Sequence, residues 1–240
     1  MRFNNMETVN IEEYARLAPQ YYNGLIPLLL KKYLNSESYD SILDCGCGDG
    51  SLLYALDRAG YLKGKKILAI DLSRNRIEIV KKINGTINAS VDSAENLETV
   101  ADVSIDFFIS TQVIEHVDDR KMIEAIKKKV RAGGIVYIST VFKKWYGWYF
   151  YRNKGKWVLD PTHLREYSSD CQLLDLFNQN NFQFLEVKKT LQWFPISDFF
   201  IKRIGLADRK LYENMIMKII RKIKIPILGY YNWEIILKKI

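Results

Sequence analysis

Cysteine is scarce in this chain, and its shortage excludes two classes of protein. The 240 residues contain three cysteines. An odd number cannot all pair, and Cys45-x-Cys47 has no second pair at metal-ligand spacing, so neither a disulfide framework nor a zinc finger is expected. Small side chains packed beneath a loop explain Cys45 and Cys47 better. The sequence therefore predicts a reducing, cytoplasmic location.

Long apolar runs are also missing. No stretch of eighteen apolar residues occurs, so no transmembrane helix is expected. The N-terminal residues Met1–Asn5 lack the apolar core of a signal peptide. Neither an internal repeat nor a low-complexity linker interrupts the chain. With 48% hydrophobic residues, the chain is long enough to bury the core of one α/β domain.

A glycine-rich loop carries most of the functional information. It reads Asp44-Cys45-Gly46-Cys47-Gly48-Asp49-Gly50, after the apolar run Ser41–Leu43 and before a helical stretch, Ser51–Arg58. Strand, glycine turn and helix in this order are typical of a nucleotide-binding loop. The third glycine comes one residue too early for a dinucleotide fingerprint. A carboxylate inside the turn repels a phosphate but suits a cationic ligand.

This loop resembles motif I of class I S-adenosylmethionine-dependent methyltransferases, whose cofactor has an amino acid end and a sulfonium. The resemblance implies that Asp71, at the end of the strand Lys66–Ile70, accepts hydrogen bonds from ribose hydroxyls. It also implies an adenine site at Asp92-Ser93-Ala94. The alternative interpretation is that Asp44, Asp71 and Asp92 only cap helices. The predicted S-adenosyl-L-methionine contacts are Asp44, Cys45, Gly46, Gly48, Gly50, Asp71, Leu72, Asp92, Ser93, Ala94, Thr111 and Gln112.

The remaining pattern predicts a Rossmann-like α/β fold. Seven mostly parallel strands with helices on both faces are expected, and the resemblance places the last strand, Trp233–Lys239, antiparallel between strands five and six. Arg131-Ala132-Gly133-Gly134 resembles a later motif of the family, with alanine in place of proline. The single domain divides into an N-terminal helical cap (1–36), a cofactor-binding core (37–141) and a substrate side (142–240) with a helical insertion (194–226).

Two histidines point to the chemistry. His116 follows the fourth strand in Gln112-Val113-Ile114-Glu115-His116, and His163 lies beyond the fifth. Carboxyl ends of parallel strands hold ligands, so both histidines and Glu115 are the predicted catalytic residues. His163 is the candidate general base. A purely structural alternative has Glu115 and His116 orient the loop and cap the next helix.

A metal is the third alternative. Glu115-His116 with a distant histidine resembles metal-dependent O-methyltransferases of ubiquinone biosynthesis and of small-RNA 2′-hydroxyl methylation, which carry Glu-x-x-Glu-His. Here the first glutamate is Gln112, which removes one anionic ligand. We therefore predict no metal. If one is present, Glu115, His116 and His163 are its ligands.

The charge distribution bears on the acceptor. Residues 141–240 contain 18 Lys and Arg against 9 Asp and Glu, whereas residues 1–140 contain 18 against 19. A basic substrate side attracts anionic acceptors or surfaces, although it is equally explained as a solvated face. Apolar residues between 211 and 223 share a helical face, and lysines mark the other. Such a helix, expected over 210–224, is either a lid or a peripheral membrane contact.

We therefore predict an S-adenosylmethionine-dependent methyltransferase that methylates an oxygen of a small molecule, glycan or lipid precursor. No Asn/Asp-Pro-Pro-Tyr motif follows strand four, which argues against a nucleobase amine as the acceptor. An RNA 2′-O-methyltransferase is the first alternative, although nucleic acid is the less favoured partner. A cofactor-binding but inactive partner subunit is the second.

Overall fold

The structure is a computed structural model that describes residues 11–17, 24–149, 151–153, 155–203, 211 and 214–240. Parts of the predicted cap and insertion, at 1–10, 18–23, 204–210 and 212–213, lie outside these residues. The strands are β1 (Ser41–Cys45), β2 (Lys66–Asp71), β3 (Ile87–Val91), β4 (Ile105–Thr111), β5 (Val130–Lys143), β6 (Tyr151–Asn153), β7 (Lys156–Val158), β8 (Phe182–Pro195) and β9 (Lys224–Lys239).

Helices fill the connections between these strands. None in the described part of the chain combines the length and apolar composition needed to cross a bilayer. They are α1 (Ile11–Leu17), α2 (Leu28–Ser36), α3 (Ser51–Arg58), α4 (Arg74–Val80), a 3₁₀ turn (Ile114–His116), α5 (Asp119–Lys129), α6 (Cys171–Gln179), α7 (Ile196–Arg203) and α8 (Met215–Ile220).

Seven strands form one sheet in the order β3-β2-β1-β4-β5-β9-β8. The last strand, β9, runs antiparallel to both neighbours, β5 and β8, while the other pairs are parallel. The predicted Rossmann-like architecture, including the position of the last strand, is confirmed. In this register Cys45 lies beside Ser110, so the glycine loop and the residues after β4 emerge at the same edge of the sheet.

The central strands of the sheet are buried on both faces, as their apolar sequences require. Ile42 packs on one side with Leu53 of α3, and its neighbour Leu43 packs on the other with Met122 of α5. Side chains alternate across a strand, so two separate apolar layers result. The site is built at the carboxyl ends of these buried strands.

The insertion between the sixth and seventh strands of the main sheet is shorter than predicted. The antiparallel ladder continues until Pro195 pairs with Lys224, so strand structure replaces both ends of the predicted 194–226 segment. Ile223, Ile225 and Ile227 alternate with polar or proline residues, a period of two that indicates a strand rather than a helix. The hairpin β6–β7 was not predicted.

Candidate functional site

The glycine loop adopts backbone angles that side chains rarely tolerate. Gly46, Gly48 and Gly50 have φ of +74°, +55° and +79°. A Cβ on Gly46 would lie 2.2 Å from a methyl of Val113, and one on Gly50 would lie 2.3 Å from Ile83. The loop therefore needs glycine for its conformation and for close packing. The Cys45 side chain is fully buried, which leaves the backbone as its route to a ligand.

Asp44 is a buried carboxylate to which no described residue donates a hydrogen bond. Its side chain is 1% exposed, and neither oxygen has a hydrogen-bond partner in the described part of the chain. Burial and the nearby charge of Asp71 raise the pKa of Asp44 to about 7. An orphaned buried acid marks a place for a ligand that supplies the missing donor or positive charge. The ammonium of an amino acid fits it.

Asp71 ties the loop to the second strand. One oxygen accepts the Gly48 N–H at 3.0 Å and the other accepts the Ser73 N–H at 2.9 Å. The guanidinium of Arg76 lies 3.3 Å from Asp49 and 3.9 Å from Asp71. After burial and the charge of His163, the charge of Arg76 also lowers the pKa of His116. Sequence reasoning missed Arg76, which has no motif of its own.

The predicted adenine contacts surround the next strand ends. Asp92 accepts the Ser93 N–H at 2.7 Å and both the N–H and hydroxyl of Thr99 at 2.7 Å, so its carboxylate closes a turn. Val91 pairs with Asp71, which brings Leu72 and Asp92 to neighbouring strand ends. Leu72 is exposed and Ala94 is buried. Their cofactor roles remain predictions.

The backbone turns sharply after β4. Thr111 pairs with Ser139, and Gln112 then takes a left-handed φ of +55°. The side-chain Nε2 of Gln112 donates to Oδ1 of Asn232 at 3.1 Å, so this side chain is bound to β9. A non-glycine residue in this conformation is uncommon and is characteristic of functional sites.

Glu115 is fully buried. One carboxylate oxygen accepts the Thr140 hydroxyl at 2.9 Å, and the other has no partner among the described residues. Burial raises the pKa of Glu115 to about 7. The helix that follows is capped by Asp118, which accepts the N–H groups of Arg120 and Lys121. Glu115 and His116 therefore do not provide the side-chain cap that the structural alternative expected.

The two histidines lie side by side, with ring centroids 4.7 Å apart. Thr162 gives its hydroxyl proton to Asp160 at 2.6 Å, so its oxygen accepts from Nδ1–H of His116 at 3.0 Å. Burial, followed by the charge of His163, lowers the pKa of His116 to about 4. His116 is therefore neutral, with its Nε2 lone pair available.

His163 forms a carboxylate–imidazole pair. Its Nδ1 lies 3.0 Å from Glu166, a carboxylate that also accepts the Leu159 N–H at 2.6 Å and the Tyr230 hydroxyl at 3.2 Å. Burial lowers the pKa of His163, but the hydrogen bond that its Nδ1–H donates to Glu166 and the surrounding carboxylates outweigh it and raise the pKa. Glu166 holds Nδ1 protonated, which leaves Nε2 as the basic nitrogen. The spacing His-x-x-Glu was the signal in the sequence.

Magnesium fits this cluster poorly. Ligand atoms of Glu115, His116 and His163 all lie within 4.8 Å of one another, but two imidazoles and one carboxylate do not suit Mg²⁺, which prefers oxygen. Burial favours the neutral form of Glu115, and Gln112 is engaged with Asn232. The donor set matches a transition metal better than magnesium.

Comparison with known proteins gives the same assignment. The family model described as "Methyltransferase domain" matches residues 13–187. The chain is 29% identical over 168 residues to the mitochondrial ubiquinone biosynthesis O-methyltransferase of Dictyostelium discoideum, covering 57% of this chain and 51% of that protein. The chain spans about half the length of the curated relatives it matches.

Solved structures agree on the fold. An S-adenosylmethionine-dependent methyltransferase of Methanosarcina mazei superposes with a TM-score of 0.60 at 16% identity, covering 90% of this chain and 98% of that one. Geranyl diphosphate methyltransferase in complex with S-adenosylmethionine gives 0.57 at 15%, covering 88% and 83%. With well over half of its length matched by the family model, the chain belongs to the methyltransferase domain family, whose cofactor is S-adenosylmethionine.

Proposed function

We propose that this protein transfers a methyl group from S-adenosylmethionine to an oxygen atom of a small molecule. The observation that carries this proposal is the His163–Glu166 pair, on the carboxyl-end side of the sheet where the glycine loop lies. A base oriented by a carboxylate suits removal of a hydroxyl proton. Curated relatives named as ubiquinone biosynthesis O-methyltransferases support an oxygen acceptor.

The residues divide the work. S-adenosylmethionine, when bound, supplies a methyl group on a positively charged sulfur. The glycine loop and Asp44 would hold its amino acid end, and Asp71 its ribose. His163 takes the acceptor proton on Nε2, and Glu166 stabilises the imidazolium that forms. Alignment of hydroxyl and methyl provides much of the remaining acceleration.

The acceptor is best described by its chemistry. The basic excess of residues 141–240 favours an anionic small molecule, such as a phosphorylated glycan or lipid precursor. The name of the geranyl diphosphate methyltransferase shows that this fold accepts such a substrate in another protein. An RNA 2′-hydroxyl is the alternative acceptor. The intact loop and the oriented base argue against an inactive subunit.

Asp71→Ala is expected to weaken S-adenosylhomocysteine binding by roughly 100-fold, because both ribose hydrogen bonds and the anchor of the Gly48 amide are lost. Wild type should show no measurable binding of NAD. Titration calorimetry of both proteins measures these affinities. The control is Asp102→Ala, which removes an exposed carboxylate just before the amino end of β4. Unchanged affinity in Asp71→Ala, or tight binding of NAD, would contradict the cofactor site.

Transfer is expected to survive EDTA, because Gln112 removes an anionic ligand and Glu115 favours its neutral form. The assay follows labelled methyl incorporated into acceptors from a cell extract, with and without chelator. Loss of activity that Mn²⁺, Co²⁺ or Zn²⁺ restores would make Glu115, His116 and His163 metal ligands instead.

A further inference from the structure

The short helix α8 buries none of its residues, although most of them are apolar. Its exposed residues include Met215, Ile216 and Ile219, which are 77%, 67% and 58% exposed. Arg221, which follows its last turn, is 9% exposed. A surface helix normally buries its apolar side chains and exposes its charges. Here five of the six helix residues are apolar and none is buried, whereas the arginine that follows the helix is buried.

A buried ion pair holds this arrangement. The Arg221 guanidinium binds Asp198 of α7 through two hydrogen bonds, at 2.7 and 2.8 Å. The Ile196 N–H also donates to the Ile223 carbonyl at 3.3 Å. Paired geometry of this kind fixes orientation more firmly than a single contact. The two helices are therefore fixed at the end of the β8–β9 hairpin with the apolar residues turned outward.

Other exposed apolar residues lie close to α8 along the chain or across the β8–β9 ladder, and we call them, together with those of α8, the apolar surface. Its members are all more than half exposed: Trp193, Met215, Ile216, Ile219, Ile223 and Leu228. Clusters of this kind mark contact with another apolar phase or molecule. Trp145, 92% exposed, lies in a loop whose Lys144 N–H donates to the Gly229 carbonyl beside Leu228. Aromatic residues of this type favour a membrane interface.

The charges around the apolar surface indicate which partner it binds. Residues 214–228, which carry most of the apolar surface, contain four Lys and Arg and no Asp or Glu. Lys218, Lys222 and Lys224 are exposed within or directly beside the apolar residues. Lysines around an apolar face are the composition of a helix that lies in the headgroup region of an anionic bilayer. An interface with a second copy would instead place these like charges against one another.

We propose that the apolar surface docks this protein on a membrane that contains anionic lipids. The outward isoleucines and methionine enter the boundary of the acyl chains, and the lysines meet lipid phosphates. The surface lies on the same side of the sheet as the glycine loop, at the carboxyl ends of the parallel strands. The segment that connects β8 to β9, which includes α7 and α8, lies beyond the carboxyl end of β5.

Sedimentation with vesicles tests the proposal. Wild type is expected to bind vesicles of mixed phosphatidylglycerol and phosphatidylcholine at least about tenfold more tightly than vesicles of phosphatidylcholine alone. The double variant Ile216→Asp, Ile219→Asp should lose at least about tenfold of this binding. Val103→Asp is the matched control, since Val103 is 62% exposed and precedes β4 at the opposite edge. It should bind as wild type does.

S-adenosylhomocysteine affinity, measured by calorimetry, shows that each variant is folded. Trp145 should report the docking of wild type through a blue shift of tryptophan emission, which the double variant lacks. Equal binding of wild type and double variant, or no binding to anionic vesicles, would overturn the proposal. Sedimentation velocity provides the last arm, because a dimer in wild type that the double variant loses would assign the apolar surface to self-association.

Discussion

Asp44→Asn is expected to make the protein more stable at pH 8 and to weaken its hold on the cofactor by roughly 100-fold. The carboxylate is buried and both oxygens lack partners in the described structure. Keeping it ionised is therefore costly, whereas a neutral amide of the same shape avoids that cost. The same charge is what a bound ammonium group would need. Stability and binding should move in opposite directions.

The dependence on pH gives the prediction its sign. Burial raises the pKa of Asp44 from 3.8 in the unfolded chain to about 7 in the folded protein. The folded state then favours the neutral acid, so the stability linked to Asp44 is present below pH 3.8 and is lost as pH rises to about 7. Above that pH the cost is on the order of 4 kcal/mol. Thermal unfolding of wild type and Asp44→Asn should therefore coincide near pH 4 and diverge by pH 8.

Asp106→Asn is the control with the opposite sign. Although burial opposes it, hydrogen bonds from the Asp40 and Ser41 amides and the charge of Arg131 lower the pKa of Asp106. Its stabilising contribution is present above the unfolded pKa and is lost as pH falls, so Asp106→Asn should destabilise the protein at pH 8. Asp106 lies at the amino end of β4, away from the predicted cofactor contacts, so Asp106→Asn should leave cofactor binding intact. An Asp44→Asn protein that unfolds earlier at pH 8, or binds normally, would contradict the role of Asp44.

The sheet could be predicted because its information is local. Short apolar runs, several of them bounded by an aspartate or a glycine turn, locate the strands individually. The ends of β8 and β9 were missed because their ladder joins residues far apart in sequence, such as Pro195 and Lys224. The alternation over Ile223–Ile227 competes with a helical period over the preceding residues, and only the pairing decides between them.

The residues of the site were likewise only partly predictable from the sequence. The glycine loop, Asp71 and the two histidines are visible as motifs or as rare residues in a fixed place after a strand. Arg76 and Thr140 were not predicted, because their partners Asp49 and Glu115 lie far from them in the sequence. Glu166 was missed although the His-x-x-Glu spacing places it near His163. Glu166 meets Tyr230 of β9 across 64 residues. Likewise, a sequence shows that a helix has an apolar side but not whether that side faces the core or the solvent.

His163→Ala is expected to lower turnover by roughly 10²- to 10⁴-fold, the usual contribution of a general base, while cofactor affinity stays within about threefold. Turnover and cofactor affinity should respond differently because of where the residues lie. His163 lies beyond β7, whereas the predicted cofactor contacts lie after β1–β4. In wild type the rate should fall as pH drops through a pKa above 6.5, because the protonated imidazole cannot accept a proton. His163→Ala should lack this acidic limb of the pH–rate profile.

Glu166→Gln separates a base from a residue that only shapes the loop. An amide can still accept the Nδ1–H of His163, so the ring stays in place, but the charge that raises the pKa of His163 is removed. The pH limb should then move to lower pH, with a turnover loss smaller than that of His163→Ala. Rates measured across the pH range on both variants decide the matter. A limb that does not move, together with less than tenfold loss in His163→Ala, would leave transfer to alignment of an acceptor that ionises unaided.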